Sequence, residues 1–146
     1  MRAIHCADCG SACALVPGAE VDPRDPDIAD AHVWACPVCS CAWAALDPVT
    51  GTCIGLPAGP ETIHARRVLR VQVIEPLVRQ APAPERILAA GRVAGYLAAH
   101  LGLPREVGTL AHLDLHQCRQ AWRVRRGVTL DEVRLWSTRV RRTVAA

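Results

Sequence analysis

The sequence predicts an α+β chain, with short antiparallel strands and turns over residues 1–58 and amphipathic helices over residues 59–146. Three observations carry that division. Cysteines recur at one spacing, Cys6-x-x-Cys9 and Cys36-x-x-Cys39, in a stretch punctuated by Gly and Pro. Apolar residues beyond Pro60 recur at helical period. Charge also changes sign: residues 1–60 hold 2 Arg against 7 acids, net −5, and residues 61–146 hold 15 Arg against 7 acids, net +8.

The cysteine pairs come first in the chain and carry the most chemistry. Two residues between cysteines let both sulfurs of a tight turn converge on one ion, and a small residue after each pair, Gly10 or Ser40, leaves backbone amides room to face the sulfur. Two such turns on two hairpins predict a closed tetrahedral site at Cys6, Cys9, Cys36 and Cys39. Zinc suits it, because soft thiolates favour that ion and tetrahedral geometry costs a d¹⁰ centre nothing. Cys13 and Cys41 are alternatives to Cys9 and Cys39, and a two-metal cluster sharing thiolates is a further alternative. His5 and His32 are expected to pack or face solvent, and Cys53 and Cys118 lack a partner at ligand spacing. Four thiolates leave no open position for substrate or water, so the metal is expected to be structural. Nothing between Met1 and Cys6 has the make-up of an export signal, so a reducing, cytoplasmic location is expected and disulfides are not.

Around these pairs the strands follow in order. Residues 12–16 leave the first pair and Pro17-Gly18 turns the chain. Residues 21–30, rich in Asp and Pro, read as a polar loop that buries nothing. Residues 32–35 enter the second pair and 42–46 leave it, with Trp34 and Trp43 as expected cover for the metal. Residues 49–60 form an irregular connector.

The helical half opens at Pro60-Glu61, a favourable first turn. Ile63, Val71, Ile74 and Leu77 predict its apolar face, and Pro76 a kink or stop. A second helix runs from about Pro84 through Ile87, Leu88, Val93 and Leu97 to Leu101, with Gly102 as its stop. Asp114 is placed to cap a third, whose buried side is Leu115, Cys118 and Trp122 and which Gly127 ends. Thr129-x-x-Glu132 is a capping box for the last helix, with Val133, Trp136, Val140 and Val144 as its stripe.

Arginines fall on the faces these helices would expose. Arg119, Arg123 and Arg126 recur at helical spacing, as do Arg139 and Arg142. Guanidinium forks suit phosphate oxygens, so DNA or RNA held by its backbone is the expected partner. No aromatic lies between these arginines on the exposed face, so a platform for stacking single-stranded bases is not expected. An adaptor or inhibitor that meets a protein partner is the alternative. No apolar run approaches a membrane span. There is no phosphate loop, nucleophile elbow or dinucleotide fingerprint, so a non-catalytic protein without a small-molecule substrate is expected. The one acid–base cluster, His112-Leu113-Asp114-Leu115-His116, would converge only in an extended segment.

The chain resembles a zinc-finger-containing domain family of unknown function found in bacteria and bacteriophages. The resemblance rests on an ordered set: Cys6-x-x-Cys9-Gly10, Trp34-Ala35-Cys36 with Cys39, and Gly51-Thr52-Cys53-Ile54-Gly55-Leu56. A basic helix follows over residues 64–70, then Glu75-Pro76-Leu77, Tyr96-Leu97-Ala98, Leu101-Gly102-Leu103, His112 and Cys118. It covers residues 6–126 and leaves the last helix outside. It departs where the family tends to have Gly-Cys-His after the second pair and this chain has Ala44-Ala45-Leu46. The resemblance implies the zinc and no established activity.

Overall fold

The computed structural model describes residues 3–104 and 110–145. It is α+β, with a small three-stranded antiparallel sheet and a series of helices. Two compact units divide the chain: Met1–His64 with Ala111–Leu115, and Ala65–Leu110 with His116–Ala146. The division falls six residues later than the 58/59 boundary read from composition, and a short segment returns to the first unit. The start of the helix at Pro60 belongs with the cysteines for a physical reason. The Asp8 carboxylate, within the first cysteine pair, accepts the Gly59 N–H at 2.7 Å and the Thr62 hydroxyl. Thr62 is buried, and the Ala7 N–H donates to the Pro57 carbonyl at 2.8 Å. An acidic group at a helix N-terminus is favourable in its own right.

In the first unit β1 (Ala14–Pro17), β2 (His32–Ala35) and β3 (Trp43–Ala45) pair in the order β1-β2-β3. Leu15 lies opposite Trp34, and Ala35 opposite Trp43. The turn at Pro17 becomes α1 (Gly18–Val21), one helical turn. A side chain at Gly18 would run into the Ile28 carbonyl, and the Gly18 N–H donates to the Ala31 carbonyl at 2.6 Å. Ile28 is 4% exposed, so the segment read as a wholly polar loop has a buried anchor. Its aspartates fold it locally: Asp22 and Asp25 accept the Arg24 and Asp27 amides, each at 3.0 Å. The irregular connector is pinned by bridges between Leu46 and Cys53 and between Trp43 and Ala58.

The second unit begins within α2 (Pro60–Leu69), which continues through a π-helical turn, Arg70–Ile74, into α3 (Glu75–Arg79). Pro76 neither ends nor simply kinks this helix. Its ring lacks the N–H that would bond the Gln72 carbonyl and crowds that carbonyl, and the ladder loosens into π spacing just before it. The Arg125 guanidinium donates to the Gln72 carbonyl instead, at 3.3 Å. Because the π turn shifts the helical phase, the buried face beyond it follows Leu69, Val73 and Leu77 and Val71 is exposed; Ile63, before the turn, is exposed beside the buried Thr62.

A short 3₁₀ turn, Ala83–Glu85, leads into α4 (Arg86–His100). Gly102 at φ 66° ends it, with Gly102 N–H to Ala99 O at 3.2 Å and Leu103 N–H to Ala98 O at 2.9 Å. That is the paired closure expected of a glycine stop. Its buried residues are Ala89, Val93, Leu97 and Ala98; Ile87 and Leu88, expected on the apolar face, are exposed. After a 3₁₀ turn, Leu110–His112, come α5 (Leu115–Arg125) and α6 (Leu130–Ala145). The capping box forms: Thr129 N–H reaches Glu132 at 2.7 Å and Glu132 N–H reaches the Thr129 hydroxyl at 3.3 Å. Gln80 accepts the next free amide, that of Leu130, at 3.2 Å. α6 packs on α4, where Trp136 meets Tyr96 edge to face at 5.4 Å. Leu130, Val133 and Ser137 are its buried residues, and Val144, expected in the stripe, is exposed. Among the described residues no helix is long and apolar enough to cross a membrane.

Candidate metal centre and basic face

Two hairpins present the cysteines. In the first, His5 pairs with Ala12, the Cys6 N–H donates to the Ser11 carbonyl at 2.9 Å, and Gly10 donates back to the Cys6 carbonyl at 2.9 Å. Gly10 turns the chain at φ 75°, a conformation that side chains resist. In the second, β2 and β3 deliver Cys36 and Ala42, whose backbones pair at 2.9 Å, and Ala42 donates to the Cys39 carbonyl at 2.9 Å. The Cys39 N–H points at the Cys36 sulfur, 3.3 Å away, as an amide that supports a thiolate does.

The sulfurs of Cys6, Cys9, Cys36 and Cys39 all lie within 4.8 Å of one another, with Cys9 and Cys36 3.5 Å apart. A tetrahedral ion with bonds of about 2.3 Å would hold them about 3.8 Å apart, so the set has the size to bind a metal. Cys6 and Cys36 are buried with Ala42, and Cys13 and Cys39 pack against them. That cover is small and thiol-rich rather than indole; Trp34 and Trp43 are half-buried on their strands. Of the alternative ligands, Cys41 is exposed and outside the set, and the Cys13 thiol faces the Ser11 carbonyl at 3.7 Å. His5 is exposed and bonds the Gly10 carbonyl through Nδ1 at 3.1 Å.

The thiols do not ionise alike. Ser11, through its hydroxyl and amide, brings Cys9 down to about 6. Its hydrogen bond with Cys9, together with burial, pushes Cys39 up to about 12, and burial raises Cys6. Burial and the neighbouring Cys36 push Cys13 up to about 12. A set that resists carrying four negative charges alone is one that a divalent cation completes, releasing protons as it binds. Among the described residues no other group brings three metal-ligand side chains together, so His112, Asp114 and His116 do not form a three-ligand set.

The five candidate arginines are all exposed. Arg119 and Arg123 lie on α5, Arg126 in the turn that follows it, and Arg139 and Arg142 on α6. The described carboxylates of this unit are engaged elsewhere. Glu75 pairs with Arg70 and Arg79 at 3.7 and 3.3 Å, and Arg134 bridges Glu85 and Asp131 at 3.3 and 3.2 Å. Glu132 closes the capping box. Among the described residues, Arg123, Arg126, Arg139 and Arg142 therefore make no ion pair.

Trp122 is where the sequence reading misplaced a residue. Expected on the buried stripe, it is 40% exposed and lies between Arg119 and Arg123 in the chain. Periodicity alone does not separate it from Cys118 and Ala121, which are buried, because an indole counts as apolar wherever it points. No family model, curated protein or solved structure matches this chain.

Proposed function

We propose that the cysteine-bearing unit is a zinc ribbon with a purely structural ion, and that the helical unit binds nucleic acid through its arginines without catalysis. The observation that supports this reading is the excess of exposed cations: Arg123, Arg126, Arg139 and Arg142 stand without carboxylate partners while the unit's described acids are used in its own fold. A solubilising surface would intersperse both signs. A field of one sign attracts phosphate. The first half, at net −5 before the thiolates are counted, is poorly suited to that role.

The test is a salt titration of duplex and single-stranded oligonucleotides against the whole chain. Replacing Arg119, Arg123 and Arg126 together by Gln is expected to flatten the log–log salt slope on duplex by about 0.9 for each phosphate left without its guanidinium. An unchanged affinity and slope would remove the basic-face mechanism. The adaptor reading draws on a different observation, the exposed Ile87 and Leu88 on α4. It becomes the leading one if the unsubstituted protein binds no nucleic acid at low salt.

A further inference from the structure

Between α2 and α5 the helical unit has a hollow of about 280 Å³, lined by Ala65, Val68 and Leu69 on one side and by Cys118 and Trp122 on the other. Arg119 and Arg123, which bracket Trp122 in the chain, complete the lining. The wall is otherwise hydrocarbon, ring and thiol, and no carboxylate belongs to it. At this size it lies just below the range of pockets that enclose drug-sized ligands, so it suits one ring system.

Three properties together select the occupant. The partly exposed indole of Trp122, which lines the hollow, favours a flat π-system. Arg123, one of the lining residues, disfavours a cationic ring and favours one that carries an anion beside it. Arg123 has no ion pair among the described residues, so its charge is available to that anion. A nucleobase with its phosphate has this chemistry, and a single strand offers base faces that a duplex keeps stacked. We infer that the Trp122 hollow seats one base of a single-stranded nucleic acid, with Arg123 on the adjoining phosphate. This rests on the nucleic-acid reading above and deepens it: the basic face holds unpaired strands by stacking as well as by charge.

The experiment measures anisotropy of a short dye-labelled single strand, the same strand made abasic, the matching duplex and a labelled mononucleotide, against the whole chain and its Trp122→Ala, Trp122→Phe and Arg123→Gln variants. Trp122→Ala is expected to weaken the single strand by roughly 5- to 150-fold, with Trp122→Phe recovering most of the loss. It should leave the salt slope and the duplex and abasic affinities unchanged, because a stacked ring releases no counterion. Arg123→Gln should instead lower the single-strand slope by about 0.7. The unsubstituted protein should prefer the base-bearing strand to the abasic one, a comparison that requires no variant to fold. Equal loss on base-bearing and abasic strands, or no loss in Trp122→Ala, overturns the stacking site and leaves the phosphate-binding reading standing. A mononucleotide that binds as tightly as the strand overturns the assignment to a strand. Failure of the unsubstituted protein to bind any of these at low salt overturns both.

Discussion

The two units of this chain reach a fixed structure by different physical means. In the helical unit large aliphatic side chains are sealed from solvent: Leu69, Val73, Val93, Leu130 and Val133 are all among the residues below 2% exposed. In the cysteine-bearing unit the large side chains buried to that degree are Val33, Pro57 and Thr62, and much of the remaining core is alanine and cysteine. A sheet of strands four, four and three residues long cannot bury enough apolar surface to offset the entropy of ordering its loops. On the proposed reading, a metal ion held by the four cysteines supplies what the aliphatics supply elsewhere. If the proposed ion is bound, the chain pairs a ligand-dependent fold with a packing-dependent one, and conditions that undo one need not undo the other.

The largest expected effect separates them outright. Removing the metal with a strong chelator under reducing conditions, or replacing Cys36 by Ser, withdraws a binding free energy on the order of 10 kcal/mol from the first unit. Amide exchange should then become fast across residues 32–45 while residues 86–100 stay protected. Uniform loss of protection would show one cooperative structure, and no loss would show that the ion is dispensable. The reciprocal change is smaller. Leu77→Ala, in the sealed face of α3, should cost about 3 kcal/mol and lower the unfolding midpoint of the helices. Metal content, read by elemental analysis, should be unaffected. The smallest effect is no change at all: Cys41→Ser should retain a full complement of metal, since that exposed thiol lies outside the set. Loss of the ion in this variant would displace Cys39 as the fourth ligand.

What is legible in the sequence is local. The Cys-x-x-Cys spacing, the Thr129–Glu132 box and the Gly102 stop each specify a structure within a few residues, and each forms as expected. What it obscures depends on neighbours distant in the chain. The apolar face of residues 60–79 is misphased by a strict 3.6-residue period, which does not anticipate the π turn that accommodates Pro76. Ile28 looks stranded in a polar loop because the close approach of its backbone to Gly18, ten residues earlier, leaves no trace in local hydropathy. Hydropathy points Trp122, Ile87 and Val144 inward, and nothing packs closely enough over them to make that so.

The contact between Arg125 and Gln72 has a consequence for how this chain can change over time. Proline at 76 leaves a carbonyl four residues back without its helical donor, and a guanidinium 53 positions away in the chain fills the vacancy. The two positions therefore form a substitution pair. Loss of Arg125 makes Pro76 costlier, because the Gln72 carbonyl then has only solvent to turn to, and restoring an N–H at 76 removes the need for the long cation at 125. Substitution of Arg125 is therefore felt first at residues 70–76, far from it in the chain, rather than within its own helix.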